Sequence, residues 1–282
     1  MAQPDPMTED PASSAKFAFR HRLSTRVWHW VNALTLLVLL MSGLTIFNAH
    51  PRLYWGEYGA ANDPAWMAVG SSQKESYVRF GETRFDTRGW IGNWKDSEGK
   101  VQTWAFPESV TIPSTYNLAD GRRWHFFFAW IFSLGLAFYM LRSLWNKHVA
   151  RDLHMTRHDW SPKHILKEIW DHARLRFPKG EAALRYNSLQ KLSYIGVIFM
   201  LLPLMIFTGI TMSPGMDAAW PWLLDVFGGR QSARSLHFIC AALLVLFVIV
   251  HLIMVLLAGP INHVRAMITG RYKLAAEGQS DG

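Results

Sequence analysis

Two histidines, His237 and His251, sit inside residues 234–259, a run that is otherwise apolar but for Arg234, Ser235 and Cys240. Its 26 residues are enough to cross a bilayer, which takes about 20. Fourteen positions separate the two histidines. At about 100° per residue a helix returns them to nearly the same face, and at about 1.5 Å per residue it sets them about 21 Å apart along its axis. A strongly polar side chain at membrane depth is costly, so it marks a functional site. Imidazole is an axial ligand of haem iron. One helix face carrying two imidazoles at two depths serves two such centres if other helices offer partners at matching levels.

The chain offers them. His29 lies one turn inside the apolar run 27–47, and His125 one turn inside the run 122–144. A third run, 192–212, holds no histidine and is weakened at Pro203. The fourth is 234–258. Basic residues at helix ends set orientation. Lys16, Arg20, Arg22 and Arg26 precede the first run, and Lys147, Arg151 and Arg157 follow the second. Lys179, Arg185 and Lys191 precede the third, and Arg265, Arg271 and Lys273 follow the fourth. Residues 49–63 carry only Arg52, and 106–120 carry neither Lys nor Arg. Both termini are therefore expected in the cytoplasm, with 48–120 outside. Depth then sorts the histidines into an outer pair, His125 with His237, and an inner pair, His29 with His251. Two bis-histidine haems stacked in a helical bundle need this arrangement.

Composition agrees. Half of the 282 residues are hydrophobic, with 14 Trp and 17 Phe, as in membrane proteins. With one cysteine, Cys240, there is no intrachain disulfide, no C-x-x-C-H attachment of a c-type haem, and no thiolate set for an iron–sulfur cluster. Cys240 reads as a small buried apolar residue. The net charge of +8 reads as topology signals at helix ends and not as a nucleic-acid surface. The first apolar run is too long for a signal-peptide core, so it is expected to remain as a helix.

The sequence thus predicts an all-α integral membrane protein, a four-transmembrane-helix bundle spanning 17–273. A disordered tail precedes it at 1–16, and another tail, 274–282, follows it. A long periplasmic loop, 48–120, joins helices 1 and 2, with a hairpin expected around Ser97-Glu98-Gly99. A cytoplasmic segment, 145–191, contains an interfacial amphipathic helix starting at Ser161-Pro162 with Ile165, Leu166, Ile169 and Trp170 on one face. Residues after Gly259 read as a basic tail. No internal repeat is apparent. His148, His154, His158, His164 and His172 read as surface residues, and His21, His50 and His263 as interfacial ones. Arg122, Arg123 and Arg234 near the outer histidines, and Arg26 near His29, suit haem propionates through bidentate pairing.

These residues carry a resemblance. His29 in R-V-W-H-W, His125 in G-R-R-W-H-F, and His237 and His251 fourteen apart resemble the bacterial di-haem cytochrome b superfamily. That group includes cytochrome b561, the b-type cytochrome of nickel–iron hydrogenases and the gamma subunit of formate dehydrogenase. The outer loop, with L-Y-W-G and I-P-S-T-Y-N-L-A-D-G-R-R-W-H-F, is most similar to thiosulfate reductase cytochrome b subunits. The resemblance implies two haems b, the same histidine pairing, and residence in the bacterial inner membrane. It also implies electron exchange between a quinone, ubiquinone or menaquinone, and a periplasmic molybdenum-cofactor or iron–sulfur oxidoreductase subunit. A family motif of the form N-x-G-Q-K enters helix 3 at the quinone. Asn187 and Gln190 match it here, with Leu189 in place of the glycine. Two other readings compete: a stand-alone superoxide:quinone oxidoreductase, and a non-redox transporter or assembly protein that uses histidines as proton relays.

Overall fold

A computed structural model of the protein describes residues 17–145, 155, 159–174 and 188–273. Four helices in it are long and apolar enough to cross a membrane. They are α1 (Leu23–Asn48), α2 (Leu118–Trp145), a composite third span (Ser188–Met212), and, fourth, a helix at Arg230–Leu257. Each covers its expected apolar run to within a residue, and each begins four residues before it. The amphipathic helix α3 (Pro162–Ala173) lies between spans two and three. Leu166, Ile169 and Trp170 stay exposed on it.

The third span is not uniform. It begins as α4 (Ser188–Tyr194), widens into a π-helical stretch (Ile195–Leu201), and resumes as α5 (Leu202–Met212). Pro203 sits in the first turn of α5, where its missing N–H costs least. The wider turn before it absorbs the lost hydrogen bond, so the weakening expected at Pro203 takes the form of a π segment. Two short helices, α6 (Pro214–Ala219) and α7 (Trp222–Phe227), lead to the fourth span, α8 (Arg230–Leu257).

The four spans form two hairpins. α1 packs along α2, and α5 along α8. Phe132 and Leu136 of α2 meet Leu202 and Leu244 of the other hairpin in a buried apolar layer. Leu244 is midway between His237 and His251, so this layer separates the two histidine levels.

The outer segment is more ordered than a loop. Strands β2 (Arg52–Leu53), β3 (Met67–Ser71), β4 (Ser76–Phe80) and β5 (Thr83–Asp86) form an antiparallel sheet in that order. Strands β6 (Trp94–Lys95) and β7 (Val101–Gln102) pair across the expected hairpin at 97–99. Leu53, Met67, Val69, Val78 and Ala105 bury against Phe47 at the end of α1, with Trp66 and Phe238 packed beside them. The sheet therefore rests on the outer ends of α1 and α8.

At the opposite face, Gly259 breaks the chain with φ of 99°. Residues after it are not a simple tail: they form α9 (Pro260–Thr269) and β8 (Arg271–Lys273). β8 pairs antiparallel with β1 (Phe17–Phe19), Ala18 opposite Tyr272. The first and last described segments thus lie side by side.

Candidate functional site

The structure brings together the histidine pairs that depth sorted. The rings of His125 on α2 and His237 on α8 have centroids 6.3 Å apart, and those of His29 on α1 and His251 on α8 have centroids 6.4 Å apart. An imidazole nitrogen bonds a first-row metal ion at about 2.0 Å and lies about 1.2 Å from its ring centre, so two rings on opposite sides of one ion have centroids about 6.4 Å apart. Both pairs meet that spacing. Among the described residues no group of three or more His, Cys, Asp or Glu side chains is placed to hold a bare metal ion. Two imidazoles are too few for most bare ions, but they complete an iron whose other four ligands come from a porphyrin. The donor sets fit haem.

At the outer level each ring is held from a neighbouring helix in the same way. Nδ1 of His125 is 3.1 Å from Ser42 Oγ and 3.2 Å from the Leu39 carbonyl. Nδ1 of His237 is 3.0 Å from Thr208 Oγ1, and the Met205 backbone bonds the same ring. Gly43 and Gly209 follow the two hydroxyl residues. A Cβ at either would stand 3.4 Å from Cε1 of the histidine it faces, ordinary van der Waals contact, so the two rings lie equally close over the two glycines. The sequence match is plain once seen: S-G-L-T at 42–45 and T-G-I-T at 208–211, with R-R-W-H-F at 122–126 and R-S-L-H-F at 234–238. No repeat was expected, yet these two helix pairs present one local motif twice.

The inner level differs. His29 Nδ1 is buried without a hydrogen-bond partner, and so are Asn32 Oδ1, Arg26 Nε and Arg20 Nη1. These are four of the eight such side-chain atoms among the described residues, so polar groups seeking partners concentrate at this end of α1. Buried guanidinium donors beside a histidine fit the carboxylates of a haem. Arg26 also donates from Nη1 to the Ile268 carbonyl at 2.6 Å, and Arg20 lies over the Tyr272 ring. Arg20 was passed over in the sequence because the collar of four basic residues read only as a topology signal.

The other arginines are placed differently. Arg234 donates to the His50 carbonyl at 2.5 Å, closing the end of α1. Arg123 is exposed and ion-paired with Asp120 at 3.0 Å. Arg122 is exposed and lies against Phe126. Gln190 is exposed at the start of the third span, and Asn187 lies outside the described residues. So do His148, His154 and His158, and the side chain of His172. His164 is no free surface residue. Its Nε2 is 3.2 Å from both Glu168 Oε1 and Ser188 Oγ. Glu168 in turn accepts from the backbone N–H groups of Ser188 and Leu189, capping the third span and tying α3 to it.

Comparison with known proteins gives the same answer. A family profile described as prokaryotic cytochrome b561 matches residues 20–270. A protein of Azospira oryzae, provisionally named as the protein-methionine-sulfoxide reductase subunit YedZ1, is 25% identical over 237 residues. That match covers 82% of this chain and 87% of the relative. With four spans, two facing histidine pairs and a profile match over most of its length, the chain belongs to the prokaryotic cytochrome b561 family, membrane proteins that bind haem b and transfer electrons.

Proposed function

We propose that the protein carries two haems b and passes electrons across the bacterial inner membrane, between quinone and an oxidoreductase partner at the periplasmic face. The observation that carries this reading is the spacing of the two ring pairs, 6.3 and 6.4 Å between centroids, at two levels of one bundle. His29 and His251 would hold the cytoplasmic iron, and His125 and His237 the periplasmic one. Bound haem supplies reversible one-electron exchange at its iron. The chain's own work is to hold and orient. Arg26, joined by Arg20, would bind the inner propionates. Arg122, Arg123 and Arg234 are the cations on the outer side. The layer of Phe132, Leu136, Leu202 and Leu244 keeps water from the path between levels.

Asn187 and Gln190 would meet quinone oxygens at the cytoplasmic start of the third span. The basic residues at helix ends support cytoplasmic termini. A relative named as a reductase subunit supports a separate catalytic partner, of the molybdenum-cofactor or iron–sulfur class. The exposed Trp55 and Trp90 of the outer segment would give that partner a surface.

A pyridine haemochrome assay on the purified protein tests the core of this. Two protohaems per chain are expected, with one lost in His251→Ala or His29→Ala and one in His125→Ala. Colourless protein, or haem content indifferent to His251→Ala, overturns the reading. Quinone reduction by superoxide with no partner protein present would favour a self-sufficient oxidoreductase instead.

A further inference from the structure

We infer that Ser42 and Thr208 are matched positioning residues for the outer iron ligands. In this role they fix the tautomer of His125 and His237 and hold the potential of the outer centre down. The inference rests on the haem reading above.

The hydrogen-bond directions settle the tautomer. Ser42 Oγ is 2.6 Å from the Val38 carbonyl, four residues back, and 3.2 Å from the Leu39 carbonyl. Thr208 Oγ1 repeats this with Leu204 at 2.7 Å and Met205 at 3.2 Å. A hydroxyl has one proton, and a carbonyl can only accept. The hydroxyl proton goes back to its own helix, which leaves an oxygen lone pair facing the imidazole. His125 Nδ1 faces that lone pair and the Leu39 carbonyl together. Two acceptors around one ring nitrogen require Nδ1 to carry the proton. Nε2 is then the bare nitrogen, the one able to bind iron. His237 Nδ1 faces the lone pair of Thr208 in the same way, so it too carries the proton and leaves Nε2 bare.

An N–H that donates strongly to oxygen makes the opposite nitrogen more basic. A more basic axial ligand stabilises oxidised iron over reduced iron, so the potential falls. Both outer ligands have such an acceptor. At the inner level His29 Nδ1 has none. The matched S-G and T-G pairs therefore set a property of the outer centre that its ligands alone do not set.

The test is a redox titration of the whole purified protein, with Ser42→Ala, Thr208→Val and the double variant. A His251→Ala background isolates the outer centre. The haemochrome count of the unmodified protein reads the haem assignment, and the midpoint reads this inference. In the double variant the outer midpoint should rise. At the wild-type midpoint the reduced-to-oxidised ratio should grow about tenfold, equivalent to 59 mV for a one-electron couple. Each single variant should give about threefold. The swaps Ser42→Thr and Thr208→Ser keep a hydroxyl and should stay within twofold of wild type. A double variant that retains haem with its ratio within twofold of wild type overturns the inference. So do hydroxyl-keeping swaps that shift the midpoint as far as the apolar ones, since packing would then be the cause. If Thr208→Val fails to accumulate, Ser42→Ala alone decides, and a shift under twofold overturns.

Discussion

At Gly135 a Cβ would stand 2.2 Å from Cζ3 of Trp28, far inside van der Waals contact. Trp28 stacks on Tyr139, centroids 6.1 Å apart, and precedes His29 in the chain. Gly135→Ala should therefore cost about 1–3 kcal/mol by overpacking, more than the 0.5–1 kcal/mol or so that alanine gains in a helix. The measurable outcome is a lower thermal unfolding midpoint in detergent together with loss of the haem proposed at His29 and His251. Tyr139 is also informative by position: it follows His125 by fourteen residues, as His251 follows His237. The motif that repeats at the outer level thus carries Tyr in one copy and His in the other at the inner level. The facing of the four histidines in two pairs was legible in the sequence because each lies in or beside a long apolar run. Ser42 and Thr208 were not. Small hydroxyl residues in spanning helices usually bond back to their own helix, and nothing in one copy of S-G-L-T marks it as facing a ligand. Only comparison of the two copies does.

The elements between spans carry more structure than periodicity showed. Gly56 O accepts from the N–H groups of Gln231 and Ser232, and Gly56 N–H donates to Ser232 Oγ at 2.7 Å, so the outer segment caps α8. Gly229, with φ of 101°, permits this approach; a Cβ there would lie 2.6 Å from Gly56 backbone. Gly229→Ala should open the clamp, seen as faster limited proteolysis of 52–116, with haem spectra perturbed first at the outer centre. One turn on, Trp66 Nε1 donates to Ser235 Oγ at 2.9 Å, and Ser235 Oγ donates to the Tyr54 carbonyl. Both bonds are lost in Ser235→Ala, which should cost about 1–3 kcal/mol because the partners stay buried. Chemical unfolding of the outer sheet would measure it. The sheet itself was missed, although its signal was present. S-Y-V-R-F and T-R-F-D flank Gly81-Glu82, a two-residue hairpin connection with φ of 56° at the glycine. Trp66 and Trp94 pack inward, and Trp55 and Trp90 face out.

Taken whole, the molecule has two closed ends. The outer sheet binds α1 to α8 on one side, and the pairing of β1 with β8 brings the first and last described segments together on the other. The first and last described segments thus share a face, which the proposed orientation puts in the cytoplasm. Reporter fusions should give cytoplasmic activity at residue 273 and periplasmic activity at residue 98. The sheet's role as a cover changes what a deletion shows. Removing 60–110 strips Trp66, Val69, Val78 and Ala105 from Phe47 and Phe238, so it should lower stability as well as electron delivery. Excising only 96–100 at the hairpin tip should leave haem content and stability unchanged. One further consequence follows from the place of α8. Each histidine pair has a member on this last span. On the proposed ligation, a growing chain can complete neither centre until residues 237 and 251 have left the ribosome and entered the lipid. Termination before residue 237 gives a colourless product, and pigment at both levels reports that translation has passed residue 251.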